Sequence, residues 1–325
     1  MIKLVIDMMG GDNGYKPAIA AVQQFLKDFP DSEFVCVGDE KVLDCFKDNL
    51  RVKVIPSLSI VPMECGVMQA MRDKESSVYK AVSAVISEKA DGVVSAGSTG
   101  AFLSLVTLII KKIDGVSRPA IISPFPTKIP NKHVVLLDVG ASVENSASDL
   151  VNFATMGVAY YTAVFGEKNP NIYLISNGTE EGKGTPLYKE TYELLKPNPV
   201  FKGYIEGRSV LNGEADVVVF DGFTGNIFLK TTEGVAKFMS GMIKEAFTES
   251  LRAKIGYLFA KKGFAKLKDK MDYKKVGGGY LIGVNTVAVK AHGNSNVLSF
   301  YSSIRLAYNL AKNQIVEKIK ENIKK

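Results

Sequence analysis

The stretch EADVVVFDGFTGNIFLKTTEG, residues 214–234, combines the pattern of a buried strand with a glycine-rich turn and a helix. The apolar run from Val217 to Phe220 is typical of a strand that is covered on both faces. The turn DGFTGN, residues 221–226, follows directly, and its glycines permit a sharp bend and the close approach of a ligand. We predict that a helix begins near Asn226 and directs its unpaired N–H groups at the turn, which favours binding of an anion.

The same phrase occurs earlier in the chain, as ADGVVSAGSTG in residues 90–100. It matches residues 215–225 at seven of eleven positions, with a constant offset of 125 (215 minus 90). A tight turn needs no threonine between its glycines, so two matching copies favour a phosphate or oxyanion site, although plain turn chemistry stays open. Because ligands bind where parallel strands end, we expect both loops to face one crevice. The candidate binding residues of the two loops are Gly97, Ser98, Thr99, Gly100, Asp221, Gly222, Thr224 and Gly225.

The composition is that of an ordinary soluble globular protein. The chain has 325 residues, of which 46% are hydrophobic and 23% charged, and this suits one large α/β unit or two closely joined domains. The net charge of +7 favours an acidic partner or surface. Three cysteines without a CxxC spacing argue against a disulfide framework, and two distant histidines argue against a metal site.

Nothing in the sequence predicts a segment that crosses a membrane. The N-terminal residues run directly into a strand and a turn, without the architecture of a signal peptide. The longest apolar stretch, Ala101 to Ile110, is too short to span a bilayer. We therefore expect a cytoplasmic protein that is not integral to a membrane.

Strand-like and helix-like segments alternate along the chain, which predicts an α/β protein with a mostly parallel sheet. A polar residue follows or ends each of five predicted strands, and in an open α/β sheet such strand ends line the ligand crevice. These residues are Asp7, Ser95, Asp138, Asn177 and Asp221. Two stretches are predicted to be irregular: the proline-rich residues 118–130 as an extended connection, and Gly277 to Gly279 as a flexible turn.

The segment LRAKIGYLFAKKGFAKLKDKMDYKK, residues 251–275, differs in kind from the rest. Nine basic and two acidic residues give it a charge of +7, equal to that of the whole chain. Its apolar side chains approximate a helical stripe that Gly256 and Gly263 interrupt. We predict a projecting amphipathic helical hairpin, with Gly263 near its tip, that contacts anionic lipid or an acidic protein. A hairpin that is merely solvated is the alternative.

Six motifs occur in an order that resembles a known family: MGGD, SAGSTGA, LLDVGAS, GTEEGKG, DGFTGN and KAHGNS. They resemble the bacterial fatty acyl-phosphate synthase family, the acyl-carrier-protein:phosphate acyltransferases of phospholipid synthesis. The resemblance extends from about Ile2 to Ala311. DGFTGN followed by LKTTEG, together with KAHG, is its most specific part.

The resemblance implies a three-layer α/β/α fold related to the isocitrate and isopropylmalate dehydrogenases and to phosphotransacetylase. Residues 1–325 would form one acyltransferase unit, with residues 251–275 as a helical insertion. It further implies a homodimer that attaches peripherally to anionic membrane, and it allows contact with the downstream membrane acyltransferase. The substrates would be the acyl-acyl carrier protein and inorganic phosphate, with no cofactor and no nucleic acid. The residues expected to touch membrane or carrier protein are Leu251, Ile255, Leu258, Phe259, Lys261, Lys262 and Phe264.

Two residues are implied as catalytic by the same resemblance: Lys183 in GTEEGKG and Asn226 in DGFTGN. A lysine flanked by glycines can neutralise phosphate or an oxyanion, although most loop lysines are only solvated. His292 either donates to phosphate or acts as an acid or base, and a structural role is equally open. Ser98 and Ser142 stand where the family carries asparagine, and both keep a small hydrogen-bonding side chain. Further candidates for phosphate or substrate binding are Gly10, Gly11, Asp12 and Asp138.

The implied reaction is direct attack of a phosphate oxygen on a thioester, with donors that stabilise the oxyanion and no enzyme nucleophile. Two other functions compete with it. A nicotinamide-dependent dehydrogenase of the related fold lacks support, because no GxGxxG follows a strand. A non-enzymatic membrane scaffold with vestigial loops is the other alternative.

Overall fold

A computed structural model describes residues 1–62, 67–271 and 278–323, with the side chains of all of these except residues 67, 251 and 264–271. The strands are β1 (Ile2–Asp7), β2 (Ser32–Gly38), β3 (Val52–Pro56), β4 (Gly92–Ser95), β5 (Ala120–Pro126), β6 (His133–Leu137), β7 (Ile172–Ser176), β8 (Phe201–Glu206), β9 (Val217–Val219), β10 (Gly279–Ile282) and β11 (Val287–Lys290). The helices are α1 (Tyr15–Asp28), α2 (Val67–Arg72), α3 (Ser77–Ser87), α4 (Thr99–Leu105), α5 (Ala147–Phe165), α6 (Pro186–Leu195), α7 (Gly222–Thr248), α8 (Leu251–Met271), α9 (Val297–Lys312) and α10 (Ile315–Ile323). A π-helical turn, Val106–Ile110, continues α4.

The strands form one sheet in the order β3-β2-β1-β4-β11-β10-β5-β6-β9-β7-β8. Two blocks are internally parallel: β3-β2-β1-β4-β11 on one side and β6-β9-β7-β8 on the other. The antiparallel strands β10 and β5 join them, so the two blocks run in opposite directions. The prediction of a mostly parallel sheet is therefore confirmed.

The carboxyl ends of both blocks meet at the middle of β5. On one side Lys290, the last residue of β11, pairs with Gly279 of β10, and β10 then pairs with β5 up to Ile122. On the other side Leu136, near the end of β6, pairs with Ser123. Because the blocks run toward each other and stop at the same level of β5, their terminal loops form one cleft.

Helices cover both faces of the sheet. The central residues of β1, Leu4, Val5 and Ile6, are all fully buried. Successive side chains of a strand point to opposite faces, so each face must be covered. In the first block α3 and α9 pack on β1, and in the second block α5 packs on β6 and β9. The predicted three-layer α/β/α architecture is confirmed.

The sequence patterns did not predict three of the strands: β5, β8 and β10. The expectation of an extended connection at residues 118–130 was wrong, because β5 lies there at the centre of the sheet. Pro124 and Pro126 are tolerated because their half of β5 pairs only with β6, and a proline lacks an N–H for a second ladder. Gly279 begins β10 rather than forming a turn, and Gly277 lies outside the described residues.

The hairpin predicted within residues 251–275 was also wrong. Residues 251–271 form the single helix α8, which continues through Gly256 and Gly263, and residues 272–275 lie outside the described part of the chain. It packs against α7, and the ring centroids of Phe247 and Tyr257 lie 5.6 Å apart between the two helices. No helix among the described residues is both long and apolar enough to cross a bilayer.

Helix α7 begins at Gly222, four residues before the predicted start. Its first turn packs directly on the loop that follows β6. A Cβ atom on Gly222 would clash with the carbonyl oxygen of Ser142, and one on Gly225 with the carbonyl oxygen of Asp138. The glycines of DGFTGN are therefore needed for close helix packing, since any side chain would push the helix away.

We predict that Gly225→Ala lowers the free energy of unfolding by about 1–3 kcal/mol, because the methyl group overpacks the contact with the Asp138 carbonyl. Gly234→Ala in the same helix is the matched control, since a Cβ there meets no atom within 4 Å. That control should gain about 0.5–1 kcal/mol from helix propensity. Urea unfolding measures both changes, and equal effects of the two substitutions would contradict the packing argument.

Candidate active site

A cavity of about 190 Å³ lies at the middle of β5, where the two blocks of strands meet. Its walls come from the start of α4, from β5, from the loop after β6, from α7, from β10 and from the end of β11. The lining residues are Thr99, Ile121, Ser123, Phe125, Val139, Gly140, Asn226, Leu229, Lys230, Glu233, Gly278, Gly279, Lys290, Ala291, His292 and Gly293. The cavity therefore combines cationic and hydrogen-bonding groups with apolar walls.

Of the two similar segments, residues 90–100 and 215–225, only the first contributes to the lining of this cavity, through Thr99, and Asn226 directly follows the second. That the 215–225 loop itself faces the same crevice stays a prediction. The preceding strands β4 and β9 belong to blocks of opposite direction, and their ends converge through their offset along β5.

Protein groups accept hydrogen bonds from two N–H groups at the N-terminus of α7. The side chain of Asp221 caps the helix and accepts a hydrogen bond from the Thr224 N–H at 2.9 Å. The N–H of Gly222 donates to the amide oxygen of Asn145 at 3.0 Å. The hydroxyl of Tyr188 donates to the Asp221 carboxylate at 2.6 Å. These contacts cap the helix that presents Asn226, and binding of an anion by DGFTGN stays a prediction.

The glycines near the N-terminus and in the SAGSTGA motif pack two loops against each other. A Cβ on Gly10 would lie 2.5 Å from the backbone nitrogen of Gly97, and one on Gly11 would lie 2.9 Å from the Gly293 carbonyl oxygen. The buried carboxylate of Asp7 ties these loops together and accepts a hydrogen bond from Ser95 Oγ at 2.6 Å. Gly10, Gly11 and Gly97 do not line the cavity.

Ser98 and Gly100 flank Thr99 at the start of α4. The Ser98 hydroxyl caps the helix and accepts a long hydrogen bond from the Ala101 N–H at 3.5 Å. The serine therefore serves as the helix N-cap, a role in which serine and asparagine are interchangeable. Asp12 is exposed outside the cavity lining, and its N–H donates to the Gly293 carbonyl at 2.8 Å.

Asp138 is a structural anchor beneath the cavity. Its carboxylate is fully buried and accepts hydrogen bonds from the N–H groups of Ile121, Gly140, Ala141 and Ser142 at 2.8–3.0 Å, and from the Ser142 hydroxyl at 2.7 Å. Burial raises the pKa of Asp138, and these donors oppose that shift. Because these donors bind both of its oxygens, the Asp138 carboxylate holds the loop after β6 in place. It does not line the cavity.

Asn226 presents a free amide at the cavity wall. The residue is exposed on α7 and packs against Gly140, where an added Cβ would lie 3.2 Å from the asparagine side chain. Gly140 has a φ of 127°, a conformation that favours glycine. Within the described residues the Asn226 amide has no hydrogen-bond partner. It is therefore available to a ligand as a neutral donor.

Lys290 is the buried cation of the cavity, and the sequence analysis did not select it. The side chain is 8% exposed, and its ammonium donates to the Ala291 carbonyl at 2.5 Å. Burial lowers the pKa of Lys290 to about 8; Asp7 and Asp12 oppose this shift, and Lys230 adds to it. A charged residue at the end of the otherwise apolar strand VAVK was the signal that could have identified it.

The remaining polar residues of the lining include His292, Lys230 and Glu233. His292 is half-buried and lies two residues after Lys290, the last residue of β11. Lys230 is exposed and pairs with Glu233 at 3.4 Å across one turn of α7. Ser123 adds a hydroxyl from β5. The cavity thus offers two lysines, an imidazole, an amide and hydroxyls, which is a donor set suited to an oxyanion or phosphate.

Lys183 is not brought into this cavity. It lies exposed on the loop between β7 and α6, with its side chain over Gly178, where an added Cβ would lie 3.0 Å from Lys183 Cγ. That loop lies at the carboxyl end of β7, which pairs with β9, and so occupies the same edge as the start of α7. Its catalytic role stays a prediction.

No cluster of metal-ligating side chains occurs among the residues that the structure describes. The described members of the predicted membrane contact, Ile255, Leu258, Phe259, Lys261 and Lys262, are all exposed on α8. The side chains of Leu251 and Phe264 lie outside the described groups.

Comparison with known proteins assigns the chain to a family. The sequence matches the family described as "Fatty acid synthesis protein" over residues 2–318. It is 41% identical to the phosphate acyltransferase of Staphylococcus aureus strain MRSA252 over 326 aligned positions, covering 99% of this chain and 98% of the relative. The same identity and coverage are found for the phosphate acyltransferase of strain MSSA476.

Two solved structures share the fold. A phosphotransacetylase from Streptococcus pyogenes superimposes with a TM-score of 0.64 at 18% identity, covering 96% of this chain and 94% of the other. A branched-chain phosphotransacylase from Enterococcus faecalis V583 gives a TM-score of 0.58 at 15% identity, covering 96% and 99%. The expected structural relation to phosphotransacetylase is confirmed. With a match over nearly its whole length, the chain belongs to the fatty acid synthesis protein family whose relatives are named phosphate acyltransferases, and it is an acyltransferase.

Proposed function

We propose that the protein transfers a long-chain fatty acyl group from acyl-acyl carrier protein to inorganic phosphate and so supplies acyl phosphate for phospholipid synthesis. The observation that carries the proposal is the cavity at the middle of β5, where the buried Lys290 lies among His292, Asn226 and Thr99 with apolar walls around them. Such a site suits an anion beside a thioester. The names of the relatives agree with acyl transfer to phosphate.

In the proposed reaction a phosphate oxygen attacks the thioester carbonyl carbon. The carbonyl oxygen becomes an oxyanion in a tetrahedral intermediate, and the carbon–sulfur bond then breaks. The products are an acyl phosphate and the thiol of the carrier, whose sulfur takes a proton. No covalent bond to the enzyme forms, so the protein contributes by orienting the reactants and by stabilising the charge that develops.

The lining residues divide into cations and neutral donors. We assign phosphate binding to the ammonium of Lys290, because a buried cation attracts an anion more strongly than an exposed one. His292 stands beside Lys290 and supports the same anion. The amide of Asn226 and the hydroxyl of Thr99 are assigned to the thioester oxygen, since they face the cavity from opposite blocks of the sheet.

Lys183 completes the proposed catalytic set from the rim. Its loop leads into α6, where Tyr188 donates a hydrogen bond to the Asp221 cap of α7. This bond couples the loop to the helix that carries Asn226. We propose that Lys183 approaches the bound substrate from that edge and adds positive charge near the transferred group.

The helix α8 is the proposed surface for anionic partners. Its residues 252–263 include four basic and no acidic side chains. Leu258 is 69% and Phe259 is 88% exposed, so apolar and cationic groups occur together as at a lipid surface. We propose peripheral attachment to anionic membrane through this helix, with the acidic carrier protein attracted by the same charges.

We also propose a homodimer. The helix α7 exposes Val235, Phe238 and Met242 along its length, and a soluble protein rarely leaves such a surface uncovered. A second copy of the chain can cover this face through a two-fold contact.

We predict that Asn226→Ala and Lys183→Ala each reduce the formation of acyl phosphate from acyl-acyl carrier protein and phosphate at least about tenfold, as expected when an oxyanion donor is lost. Lys189→Ala is the matched control, an exposed lysine on the neighbouring helix α6, and it should retain full activity. Melting temperatures establish that the variants fold. Near-normal turnover in both variants would remove the catalytic assignment.

The pKa of Lys290 predicts a dependence on pH. Below about pH 8 the ammonium is charged and binds phosphate; as the pH rises through about 8 the charge is lost and kcat/KM for phosphate should fall. Lys290→Met should be slow at every pH and lose this decline. Lys230→Met changes an exposed lysine of the same cavity and should keep the decline of kcat/KM. If the decline disappeared in Lys230→Met, the titrating group would be Lys230 and not Lys290.

We predict that Leu258→Glu together with Phe259→Glu releases the protein from vesicles that contain anionic lipid. The substitutions remove apolar contact and add repulsion, while each basic residue near such a surface is worth about 1 kcal/mol. The substitutions leave the cavity unaltered, so kcat for soluble acyl-acyl carrier protein should be unchanged, while KM for this acidic donor should rise through repulsion. Vesicle sedimentation measures binding, and retention of the doubly substituted protein would place these side chains in the dimer contact instead.

A further inference from the structure

We infer that the fatty acyl chain of the donor lies in an apolar groove that leads out of the cavity along α4. This inference rests on the proposed function and adds a subsite to it. The groove has a volume of about 480 Å³ and runs between α4 and the loop after β6. Its apolar lining includes Leu103, Leu108, Ala141, Val143 and Leu281.

The size of the cavity requires such an extension. The cavity encloses about 190 Å³, whereas pockets that hold a drug-sized ligand measure about 300–1,000 Å³. Phosphate and the thioester group fit the cavity, but a long acyl chain does not fit beside them. The chain must therefore leave the cavity across an apolar surface.

The groove is continuous with the cavity on both of its walls. On one wall α4 carries Thr99 in the cavity and then Leu103 and Leu108 in the groove, at helical spacing along the same helix and the π turn that continues it. On the other wall Gly140 lines the cavity, and Ala141 is the next residue and lines the groove. The two spaces therefore have neighbouring residues in both walls, and we place the acyl chain across the boundary between them.

The floor shows the same continuity. Ile121 of β5 lines the cavity and pairs with Leu281 of β10, which lines the groove. Between Thr99 and Leu103 the helix α4 carries Gly100, where an added Cβ would meet no atom within 4 Å. No side chain of α4 occupies the space at this position.

The polar side chains that border the groove are mostly bonded to the protein. Thr107 Oγ1 donates to the Leu103 carbonyl at 2.7 Å, and the guanidinium of Arg118 donates to the Glu144 carbonyl at 2.8 Å. The Ser142 hydroxyl donates to the buried Asp138 carboxylate. These contacts leave methyl and methylene surface toward the groove, which suits an acyl chain rather than a polar ligand.

Exposed apolar residues in the groove support the same occupant. Leu108 is 55% and Val143 is 74% exposed. Both would be covered by a chain that follows α4. Each methylene that enters such a groove should improve kcat/KM by about fourfold, as expected from the free energy of transfer of a methylene group from water.

The test uses a series of acyl-acyl carrier proteins of increasing chain length with phosphate and measures kcat/KM for each. In the unaltered protein the value should rise by about fourfold per methylene until the groove is filled. Ser104→Phe places a ring one turn beyond Gly100, and Leu108→Trp places one a further turn along. Both variants should leave kcat/KM for short donors unchanged and should stop its increase with chain length. The increase should stop at a shorter chain in Ser104→Phe than in Leu108→Trp. Gln24→Phe on the exposed face of α1 is the matched control and should leave the series unchanged.

Failure of the groove is distinguishable from failure of the proposed function. If no donor yields acyl phosphate with the unaltered protein, the proposed function fails. If all donors react but the two groove variants keep the chain-length series of the unaltered protein, or lose short and long donors equally, the groove does not hold the chain. Weakened dimer formation in Ser104→Phe with an unchanged series would assign the surface to a second copy of the chain.

Discussion

The buried carboxylate of Asp138 is the contact on which the geometry of the cleft depends. It binds the N–H of Ile121 on β5 and three N–H groups of its own loop, so that the central strand and the end of β6 are fixed together. The first turn of α7 packs through Gly225 against the carbonyl group of the same residue. The position of Asn226 against Gly140 follows from these contacts. Asp138, which the sequence predicts as a substrate ligand, thus fixes the walls of the cavity without lining it.

Apolar runs and glycine-rich turns were sufficient to predict the fold class, because a strand buried on both faces has a distinctive composition. HVVLLD and VVVF are examples, and they lie side by side in the second block as β6 and β9. The strand β5 could not be predicted in this way. Its prolines indicate a connection, and they are acceptable only because that half of the strand has one neighbour, which is a property of the sheet and not of the segment.

The candidate site was predictable in its location and less so in its members. The repeated phrase led to Thr99, and the resemblance of DGFTGN to the family motif led to Asn226; both residues follow strands that end at the cleft. Neither led to Lys290, because the importance of that lysine comes from burial by segments distant in sequence. The predicted turn at Gly263 failed for a related reason: an isolated glycine weakens a helix by about 1 kcal/mol, which is not enough to end one.

The order of strands has a consequence for the route by which the chain folds. The strand β11 lies between β4 and β10, and almost 200 residues separate it in sequence from its parallel partner β4. The second block, β6 to β9, is made of consecutive sequence and can assemble as the chain leaves the ribosome. Until β11 is synthesised, the first block lacks the strand that separates β4 from β10. Because β11 ends in Lys290 and leads to His292, formation of the anion site coincides with closure of the sheet. A partly synthesised chain can therefore contain a folded half without having a binding site.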